Sequence, residues 1–352
     1  MNRTLLTIKQ TALSTSLGKK MRKIRYRSRF TRERAIEKLS EFGLSPTDEL
    51  VSDMMNEALE HDVTFREYFM YHFYDLKEKE RREFIPLWEA GSKYVEVFNN
   101  YRTSGLFYDK EKVYNRFKQF YKRKLIALHR FNEQEKTEFY DLFSSAGRVI
   151  VKPYDGQEGF GIRMINYSAD SEDVFEKLRH DYPHGAIIEE VVEQDERMAS
   201  LHPESLNTLR IATVRLGDEV IVLPPLMRVG TNGSVVDNGG SGGIFCELDE
   251  NGVITNTCDE KGQSFEYHPT THKKLIGFQV PDISKAVELA KQLSAVCPEV
   301  TYIGWDIALS KNGFVMIEGN SAAGFVVWQI FGKGCRPLMD SIMDRVKEGK
   351  NK

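Results

Sequence analysis

The spacing of apolar side chains divides the chain into a helical first part and a mixed second part. Between residues 31 and about 105, apolar residues recur three and four positions apart, which is the period of an amphipathic helix. Thr31 and Thr64 stand where capping side chains are expected, and Glu67 completes a capping-box pattern with Thr64. The aromatic residues between positions 65 and 74 are expected to form core rather than a cofactor site.

From about residue 106 the pattern changes to short apolar runs of the length that is typical of β-strands. One more helix is predicted over 113–124, and helical periods at 171–180, 282–296 and 337–348 interrupt the strands. We therefore predict an α+β body that follows a helical N-terminal domain. The predicted strands are 148–152, 162–167, 186–192, 209–216, 220–223, 243–248, 302–309 and 314–317.

Composition narrows the class of protein. The chain has 352 residues, 41% hydrophobic and 29% charged, which is typical of a globular protein of about two to three domains. No apolar run reaches the ~18 residues of a membrane span, and the first residues lack the apolar core of a secretory signal. The four cysteines form no C-x-x-C pair, which agrees with a reducing compartment, so we expect a cytoplasmic protein. A net charge of −3 gives no reason to expect a nucleic-acid partner.

Positive charge is concentrated at the N-terminus, where residues 1–34 contain eleven Lys or Arg and one acid. Two interpretations are open. The favoured one is a solvated arm whose Tyr26 and Phe30 dock on the protein itself. The other is an arm that makes weak peripheral contact with an anionic membrane surface or another polyanion. The predicted units are a basic arm over 1–30, a helical domain over 31–105 and the α+β body over 106–348.

A glycine-rich loop follows the predicted strand that ends at Lys152. Its spacing places glycines at 156, 159 and 161, and another strand comes next, whereas a Rossmann or Walker loop leads into a helix. Backbone N–H groups in such a loop can lie over phosphate oxygens, with Lys152 supplying positive charge. An ordinary glycine-rich hairpin is the alternative, and the loop alone does not decide between them.

A second hairpin carries two acids. With a three-residue loop over 311–313, Ser310 faces Phe314 and Asp306 faces Glu318. Side-chain alternation then puts both acids and Asn320 on one face. The opposite face, expected to be core, carries Ile303, Ile307, Leu309, Val315 and Ile317. Neighbouring carboxylates repel each other, and Mg²⁺ prefers oxygen ligands, so we predict a magnesium site with Mn²⁺ as a substitute. A solvated polar face is the alternative.

In their order along the chain, these features resemble the ATP-grasp superfamily. A strand ending in Lys-Pro leads into the glycine loop, a strand with acids at its end follows over 187–193, and the Asp…Glu-x-Asn hairpin comes last. The resemblance covers about residues 106–335 and is closest to the sugar-transfer-associated branch. It implies the ATP-grasp fold, in which two α+β subdomains clamp ATP, behind the helical domain. The segments similar to that branch are 201–210, 228–230, 237–244, 304–306 and 68–76.

The resemblance implies roles at the phosphate end of the nucleotide. Lys110, at the start of a helix, and Lys152 are expected to contact the α- and β-phosphates of ATP, and Gly159 belongs to the loop over them. A surface role is the alternative for Lys110, which has several basic neighbours. The family's magnesium ligands match Asp306, Glu318 and Asn320.

The resemblance also implies an adenosine site at the end of the acidic strand. The backbone groups of Glu190 and Val192, next to Glu189, are expected to bind adenine. Either Glu193 or Glu196 is expected to bind the ribose hydroxyls, because the loop departs from the commoner spacing of the family.

Three further residues are expected to act at the reacting groups. Arg210 and Arg228 lie on strands that are expected to pass the γ-phosphate, and a planar guanidinium suits phosphate and carboxylate oxygens. A structural salt bridge with a carboxylate is the alternative for both arginines. Asn238, among glycines, is expected near the acyl substrate, and a plain turn residue is its alternative.

The expected activity is an ATP- and Mg²⁺-dependent ligase that joins a small acid to an amine through an acyl phosphate. The branch resemblance suggests a sugar acid or amino acid and a place in polysaccharide or small-molecule biosynthesis. A kinase that phosphorylates a hydroxyl is the alternative, and a non-catalytic binding module is a third hypothesis that the intact acidic hairpin disfavours. No protein nucleophile is required, and none is recognisable in the sequence.

Two pairs of histidines, His180/His184 and His268/His272, are spaced four residues apart but lack the glutamate of an H-E-x-x-H zinc motif. They are expected at the surface.

The N-terminal helices occupy the place where many ATP-grasp enzymes have an α/β domain that helps to bind substrate. The identity of the substrate is therefore not transferable from those enzymes. Nothing in the sequence fixes the oligomeric state.

Overall fold

The computed structural model describes residues 16–156, 161–168 and 173–350. Helices fill the first part up to residue 121, and two antiparallel sheets with flanking helices form most of the rest. The predicted fold class, an α+β body behind a helical N-terminal region, is thus confirmed. In the described part of the chain, no helix has the length and apolar character needed to cross a bilayer.

Capping side chains fix where the N-terminal helices begin. Thr31, Thr47 and Thr64 each accept a hydrogen bond from a backbone N–H in the first helical turn, and Thr64 and Glu67 form the predicted capping box. A π-helical stretch, Ala90–Val95, joins two of the short helices. The helices are α1 (Ser16–Arg27), α2 (Arg32–Glu41), α3 (Asp48–Glu60), α4 (Phe65–Met70), α5 (Glu78–Arg81), α6 (Leu87–Glu89), α7 (Glu96–Phe98), α8 (Tyr101–Ser104) and α9 (Lys110–Tyr121).

The aromatic segment after Thr64 is core, as predicted. Tyr68 and Phe73 are buried together with residues of α2 and α3. The same cluster includes Phe245 and Cys258 from the α+β body, so the helical region and the body share a core. Hydrophobic burial therefore links the two parts of the chain energetically.

The smaller sheet has four antiparallel strands in the order β1-β4-β2-β3. The β2–β3 pair is the predicted glycine hairpin, although the loop residues 157–160, including Gly159, lie outside the described residues. The helices α10 (Glu133–Ala146) and α11 (Val174–Asp181) contribute to its core. The strands are β1 (Leu125–Leu128), β2 (Arg148–Pro153), β3 (Arg163–Asn166) and β4 (Ala186–Glu190).

The larger sheet has seven antiparallel strands in the order β11-β10-β5-β7-β8-β9, with β6 paired to β5. The long helix α13 packs against this sheet and contributes apolar side chains to the same core. The strands are β5 (Thr208–Leu216), β6 (Glu219–Val222), β7 (Leu226–Val229), β8 (Ile244–Leu248), β9 (Ile254–Cys258), β10 (Tyr302–Ser310) and β11 (Gly313–Asn320). The helices are α12 (Glu196–Ala199), α13 (Ile283–Val296), α14 (Val326–Gln329) and α15 (Arg336–Lys350).

The β10–β11 hairpin differs from the prediction at its turn. Ser310 pairs with Gly313 rather than with Phe314, so the loop has two residues, and a register shift after Asp306 leaves Ile317 without a partner on β10. This β-bulge restores the predicted pairing of Asp306 with Glu318. It also reverses the faces near the turn: Phe314 and Met316 join the core around Ile307. Val315 is buried, as predicted, but on the opposite face, whereas Ile317, also predicted as core, is half-buried at the cavity wall.

Candidate active site

A cavity of about 350 Å³ lies between the two sheets. Strands β2, β3 and β4 form its wall on the small sheet, and β5, β7, β10 and β11 form its wall on the large sheet. The predicted site residues that line it are Lys152, Glu189, Glu190, Val192, Glu193, Arg228, Asn238, Asp306 and Glu318. The predicted residues that lie outside this lining, among those the structure describes, are Lys110, Arg210, Glu196 and Asn320.

Asp306 is held between two arginines. It pairs across the β10–β5 ladder with Arg210, whose Nε lies 2.6 Å and whose second nitrogen lies 3.2 Å from its carboxylate oxygens. Arg228 on β7 reaches the same carboxylate at 2.9 Å. Burial alone would raise the pKa of Asp306, but the two guanidinium groups lower it below its usual value. Asp306 is therefore a firmly ionised acceptor, and both arginines make the structural ion pair that the sequence left as an alternative.

Arg228 is buried and contacts a second acid. Its guanidinium nitrogen lies 3.5 Å from Asp237, and it also donates to the hydroxyl of Thr208 at 2.8 Å. Asp237 in turn accepts from the backbone N–H and the hydroxyl of Thr208. Burial would lower the pKa of Arg228, but Asp237 and Asp306 raise it, so the guanidinium stays charged. Asn238 follows Asp237 directly at the cavity wall.

Glu318 faces Asp306 across the hairpin but lacks its cationic partners. Among the described residues, no Lys, Arg or His nitrogen lies within 4 Å of its carboxylate. Glu318 keeps an exposed surface at the cavity. Desolvation of its carboxylate by the surrounding cleft and the neighbouring charge of Asp306 raise the pKa of Glu318, while Lys152, Lys110 and Arg210 oppose that rise. The side chain still opens onto the cavity, so this carboxylate is available to a cationic ligand.

A buried ion cluster joins the small sheet to the hairpin. Lys152 on β2 and Arg123, just before β1, both bind Glu189 on β4, at 2.7 Å each. Arg123 also donates to the backbone carbonyl of Met316 on β11 at 2.8 Å. Burial would raise the pKa of Glu189, but Lys152 and Arg123 lower it to about 2. Sequence reasoning missed Arg123, because nothing near it in the chain marks it as a site residue.

Lys110 supports the glycine loop from behind the cavity. Asp109 caps α9, and the Lys110 ammonium group donates to the backbone carbonyls of Tyr154 at 3.2 Å and Gly156 at 2.6 Å. Burial lowers the pKa of Lys110, with Lys152 adding to the effect and Glu318 opposing it. Lys110 is half-buried beside the site, and these contacts agree with the predicted role rather than with the surface alternative.

The strand end after β4 runs along the cavity. The carboxylate of Glu190 accepts from the backbone N–H of Lys124 at 2.7 Å, which holds β4 against the start of β1. Glu193 is exposed and binds Lys311 at 3.2 Å, whereas Glu196 lies in the first turn of α12, away from the lining. Glu193 and Glu196 were the two candidates for binding the ribose hydroxyls, and of these Glu193 lines the cavity.

The expectation that His268 lies at the surface is wrong. Its ring is buried, with Nε2 at 2.7 Å from the backbone carbonyl of Gly230 and with backbone N–H groups donating to Nδ1. It packs beside His202, which is also buried and bonds to Ser205 at 2.8 Å. Since Ser205 lines the cavity, this histidine pair supports the cavity wall from behind.

The donor set at the hairpin fits a hard divalent cation. Asp306 and the unpaired Glu318 offer carboxylate oxygens side by side, and the amide oxygen of Asn320, which accepts from the backbone N–H of Ala322 at 2.8 Å, retains a second lone pair. The described ranges contain no group of three or more His, Cys, Asp or Glu side chains that could hold a metal ion, so the donor set at the hairpin is two carboxylates and the Asn320 amide. The four cysteines are free and buried.

Most of the chain matches one family of known proteins. Residues 89–344 match the model of a family described as sugar-transfer associated ATP-grasp. The sequence has no significant match among curated proteins.

Several solved structures are similar at low identity. D-alanine–D-alanine ligase from Bacillus anthracis is 13% identical over 71% of this chain and 69% of its own, with a TM-score of 0.44. The VanG D-Ala:D-Ser ligase from Enterococcus faecalis is 15% identical over 70% and 62%, with a TM-score of 0.44. N5-carboxyaminoimidazole synthase from Aspergillus clavatus is 13% identical over 69% and 54%, with a TM-score of 0.40.

Proposed function

The chain belongs to the sugar-transfer associated ATP-grasp family, and we propose that it is an ATP-dependent ligase that joins a carboxylate to an amine. The observation that carries the proposal is the convergence of Lys152, Arg228, Asp306 and Glu318 on one cavity between two sheets. The family match agrees with the resemblance that the motifs indicated. We further propose a sugar acid or amino acid as one substrate and a place in polysaccharide or small-molecule biosynthesis, and the family description supports the link to sugars.

The cavity has the chemical make-up of a nucleotide site. Apolar side chains from both sheets, including Ile150, Met164 and Ile317, line it together with the backbone at Glu190 and Val192. These surfaces suit the faces and edge of adenine. Lys152 and the loop tethered by Lys110 would hold the α- and β-phosphates, and Glu193 would bind the ribose hydroxyls.

Asp306, Glu318 and Asn320 would hold Mg²⁺, with Mn²⁺ as a substitute. When bound, this ion supplies Lewis-acid neutralisation of phosphate oxygens. The chain's own part is to keep Asp306 ionised through Arg210 and Arg228 and to hold Glu318 opposite it by the β10–β11 pairing. A cation would also relieve the repulsion between the two carboxylates.

The reaction has two steps. The substrate carboxylate attacks the γ-phosphorus of ATP, the bond to the β,γ-bridging oxygen breaks, and an acyl phosphate and ADP form. The amine then attacks the acyl carbon, the C–O bond to phosphate breaks, and amide, phosphate and a proton are released. Arg228 and Asn238, which line the cavity, would hold the transferring phosphoryl group and the oxyanion on the acyl carbon.

The electrostatics of the cavity favour ligase over kinase. A hydroxyl acceptor must lose a proton to a base, whereas a carboxylate is already ionised when it attacks. Asp306 and Glu189 line the cavity but are poor bases, because ion pairs lower the pKa of each. The pKa values of Glu318 and Asp237 are raised, but Glu318 is assigned to the metal ion, and Asp237 accepts from Thr208 and pairs with Arg228. A first step that needs no proton transfer agrees with this arrangement.

The experiment is ADP release with Mg²⁺ and ATP in a panel of amino acids crossed with uronic and other small acids. Products are identified by mass spectrometry. Glu318→Ala removes the free carboxylate of the site, and Glu250→Ala, in an exposed turn after β8, is the matched control. We expect turnover that needs both an acid and an amine, a product lighter than their sum by one water, and loss of turnover only in Glu318→Ala. A phosphate ester formed from one co-substrate would make the enzyme a kinase instead.

A further inference from the structure

Helix α1 presents two different faces. Its inner face packs on the helical domain through Tyr26, whose ring lies 4.8 Å from that of Trp88. Arg27 and Lys23 on the same side bind the carboxylate of Asp62 at 2.9 and 2.7 Å. These contacts fix the orientation of the helix, so the opposite face is held outward.

The outer face combines cations with large apolar side chains. Met21 and Ile24, one turn apart, are each 62% exposed, the largest exposures of apolar side chains in the described part of the chain. Lys20 and Arg25 beside them are exposed, and within the described residues neither has an acidic partner. Exposed apolar side chains that lie together and are flanked by polar residues mark surfaces at which a partner or a membrane binds.

The surrounding sequence extends the positive charge. Residues 1–34 carry eleven basic residues and one acid, while the whole chain has a net charge of −3. The positive charge is therefore concentrated at this end of the protein. An anionic partner is attracted to the α1 side rather than to the molecule as a whole.

We propose that the outer face of α1 binds an anionic lipid surface. Met21 and Ile24 would enter the boundary between headgroups and acyl chains, and Lys20 and Arg25 would contact lipid phosphates. A nucleic acid would be bound by the cations alone, because exposed Met and Ile side chains gain nothing at a phosphate backbone. The apolar pair between the cations thus selects lipid. This proposal does not depend on the catalytic activity of the site.

The test is flotation of the full-length protein with vesicles of phosphatidylcholine alone or mixed with phosphatidylglycerol, at low and high salt. We expect binding to the mixed vesicles that weakens with salt, and much weaker binding to neutral vesicles. Lys20→Glu/Arg25→Glu should weaken binding about tenfold or more, since each cation near an anionic surface contributes measurably. Met21→Ser/Ile24→Ser should weaken it about tenfold through loss of apolar contact.

Matched controls carry the same changes elsewhere. Leu338→Ser on α15 replaces another exposed apolar side chain, and Lys291→Glu on α13 reverses another exposed cation. Both should bind like the wild type, and all variants should keep the wild-type unfolding midpoint. Absence of vesicle binding by the wild type, or unchanged binding by Met21→Ser/Ile24→Ser, would overturn the proposal. So would tight oligonucleotide binding that only the charge variant loses.

Discussion

Arg228 is the residue on which the charge balance of the cavity depends. It is buried between Asp237 and Asp306, and it donates to Thr208 as well. A buried charge cluster gains little net stability as a whole, but the loss of one partner leaves the remaining charges unpaired in a poorly solvated place.

We therefore expect Arg228→Met to lower the free energy of unfolding by about 3–5 kcal/mol. Arg345→Met is the control, because Arg345 pairs with Glu219 at an exposed position where an ion pair contributes at most about 1 kcal/mol. Urea denaturation of both variants measures the difference. Equal effects of the two substitutions would mean that Arg228 is not part of a buried cluster.

The Glu189 cluster makes stability depend on pH. Lys152 and Arg123 lower the pKa of this buried acid from 4.5 to about 2. A lowered pKa stabilises the fold above the unfolded-state value of about 4.5, and this contribution is lost as the pH falls toward 2. We expect the unfolding free energy of the wild type to fall between pH 5 and 2 by about 3 kcal/mol more than that of Glu189→Gln. Parallel pH curves for the two proteins would contradict this.

The sequence could place two acidic side chains relative to each other, because a sequence motif and the register of strand pairing both constrain them. Asp306 and Glu318 could be placed opposite each other from sequence, because strand pairing brings them together. Arg123 could not be found, because it reaches Glu189 across 66 positions of sequence through tertiary packing. His268 was misplaced for the same reason, since only the fold shows that Gly230 covers its ring.

At the scale of elements, the β-bulge at Ile317 decides which side chains build the cavity. Strict alternation assigns Ile317 to the core, whereas the observed pairing puts Met316 in the core and Ile317 at the cavity wall. The sequence pattern cannot show this. The loop is one residue shorter than predicted and the bulge adds one unpaired residue, so the two changes cancel and Asp306 still pairs with Glu318.

Two neighbouring substitutions test this assignment. We expect Met316→Ala to lower the unfolding free energy by about 2–5 kcal/mol, because it leaves a cavity in the core. Ile317→Ala should cost less than about 1.5 kcal/mol and should instead weaken ATP binding several-fold. Denaturation and calorimetric ATP titration measure the two effects. A larger loss of stability in Ile317→Ala than in Met316→Ala would favour regular alternation.

Other elements show which sequence signals are enough to locate a helix or a strand. Helices with clear caps, such as α2 and α4, begin where the sequence predicts. The strands β1 and β9 were not predicted, because neither shows a clear alternation, and β7 was expected only as the strand that carries Arg228. They complete the two sheets through tertiary pairing, which local pattern does not encode.

At the scale of the whole molecule, the helical region and the α+β body share two apolar cores. One joins the aromatic residues of α4 to Phe245, and the other joins Tyr94 and Phe98 to Tyr302 on β10. The predicted boundary near residue 105 therefore separates two sequence patterns within one packed structure. A change in composition shows where one sequence pattern gives way to another. It does not show how much surface the helical region and the α+β body bury against each other.

This packing predicts a single cooperative unfolding transition. Trp88 lies in the helical region, Trp305 in the body and Trp328 on α14. Two variants in which Trp328 is replaced by Phe, and which keep only Trp88 or only Trp305, therefore report on each part separately. We expect the same urea midpoint from both reporters and from circular dichroism. Two midpoints separated by more than experimental error would mean that the helical region folds as an independent unit.

If the cavity activates a carboxylate with ATP, an oxygen atom of the acid must pass to the released phosphate, and isotope labelling detects that transfer. Candidate acids labelled with ¹⁸O in the carboxylate are incubated with the enzyme, Mg²⁺, ATP and the amine panel, and the phosphate is analysed by mass spectrometry. We expect one ¹⁸O atom in the released phosphate, ADP as the nucleotide product, and neither in Glu318→Ala. Label in AMP, or phosphate transferred to a hydroxyl with none of the label, would contradict it.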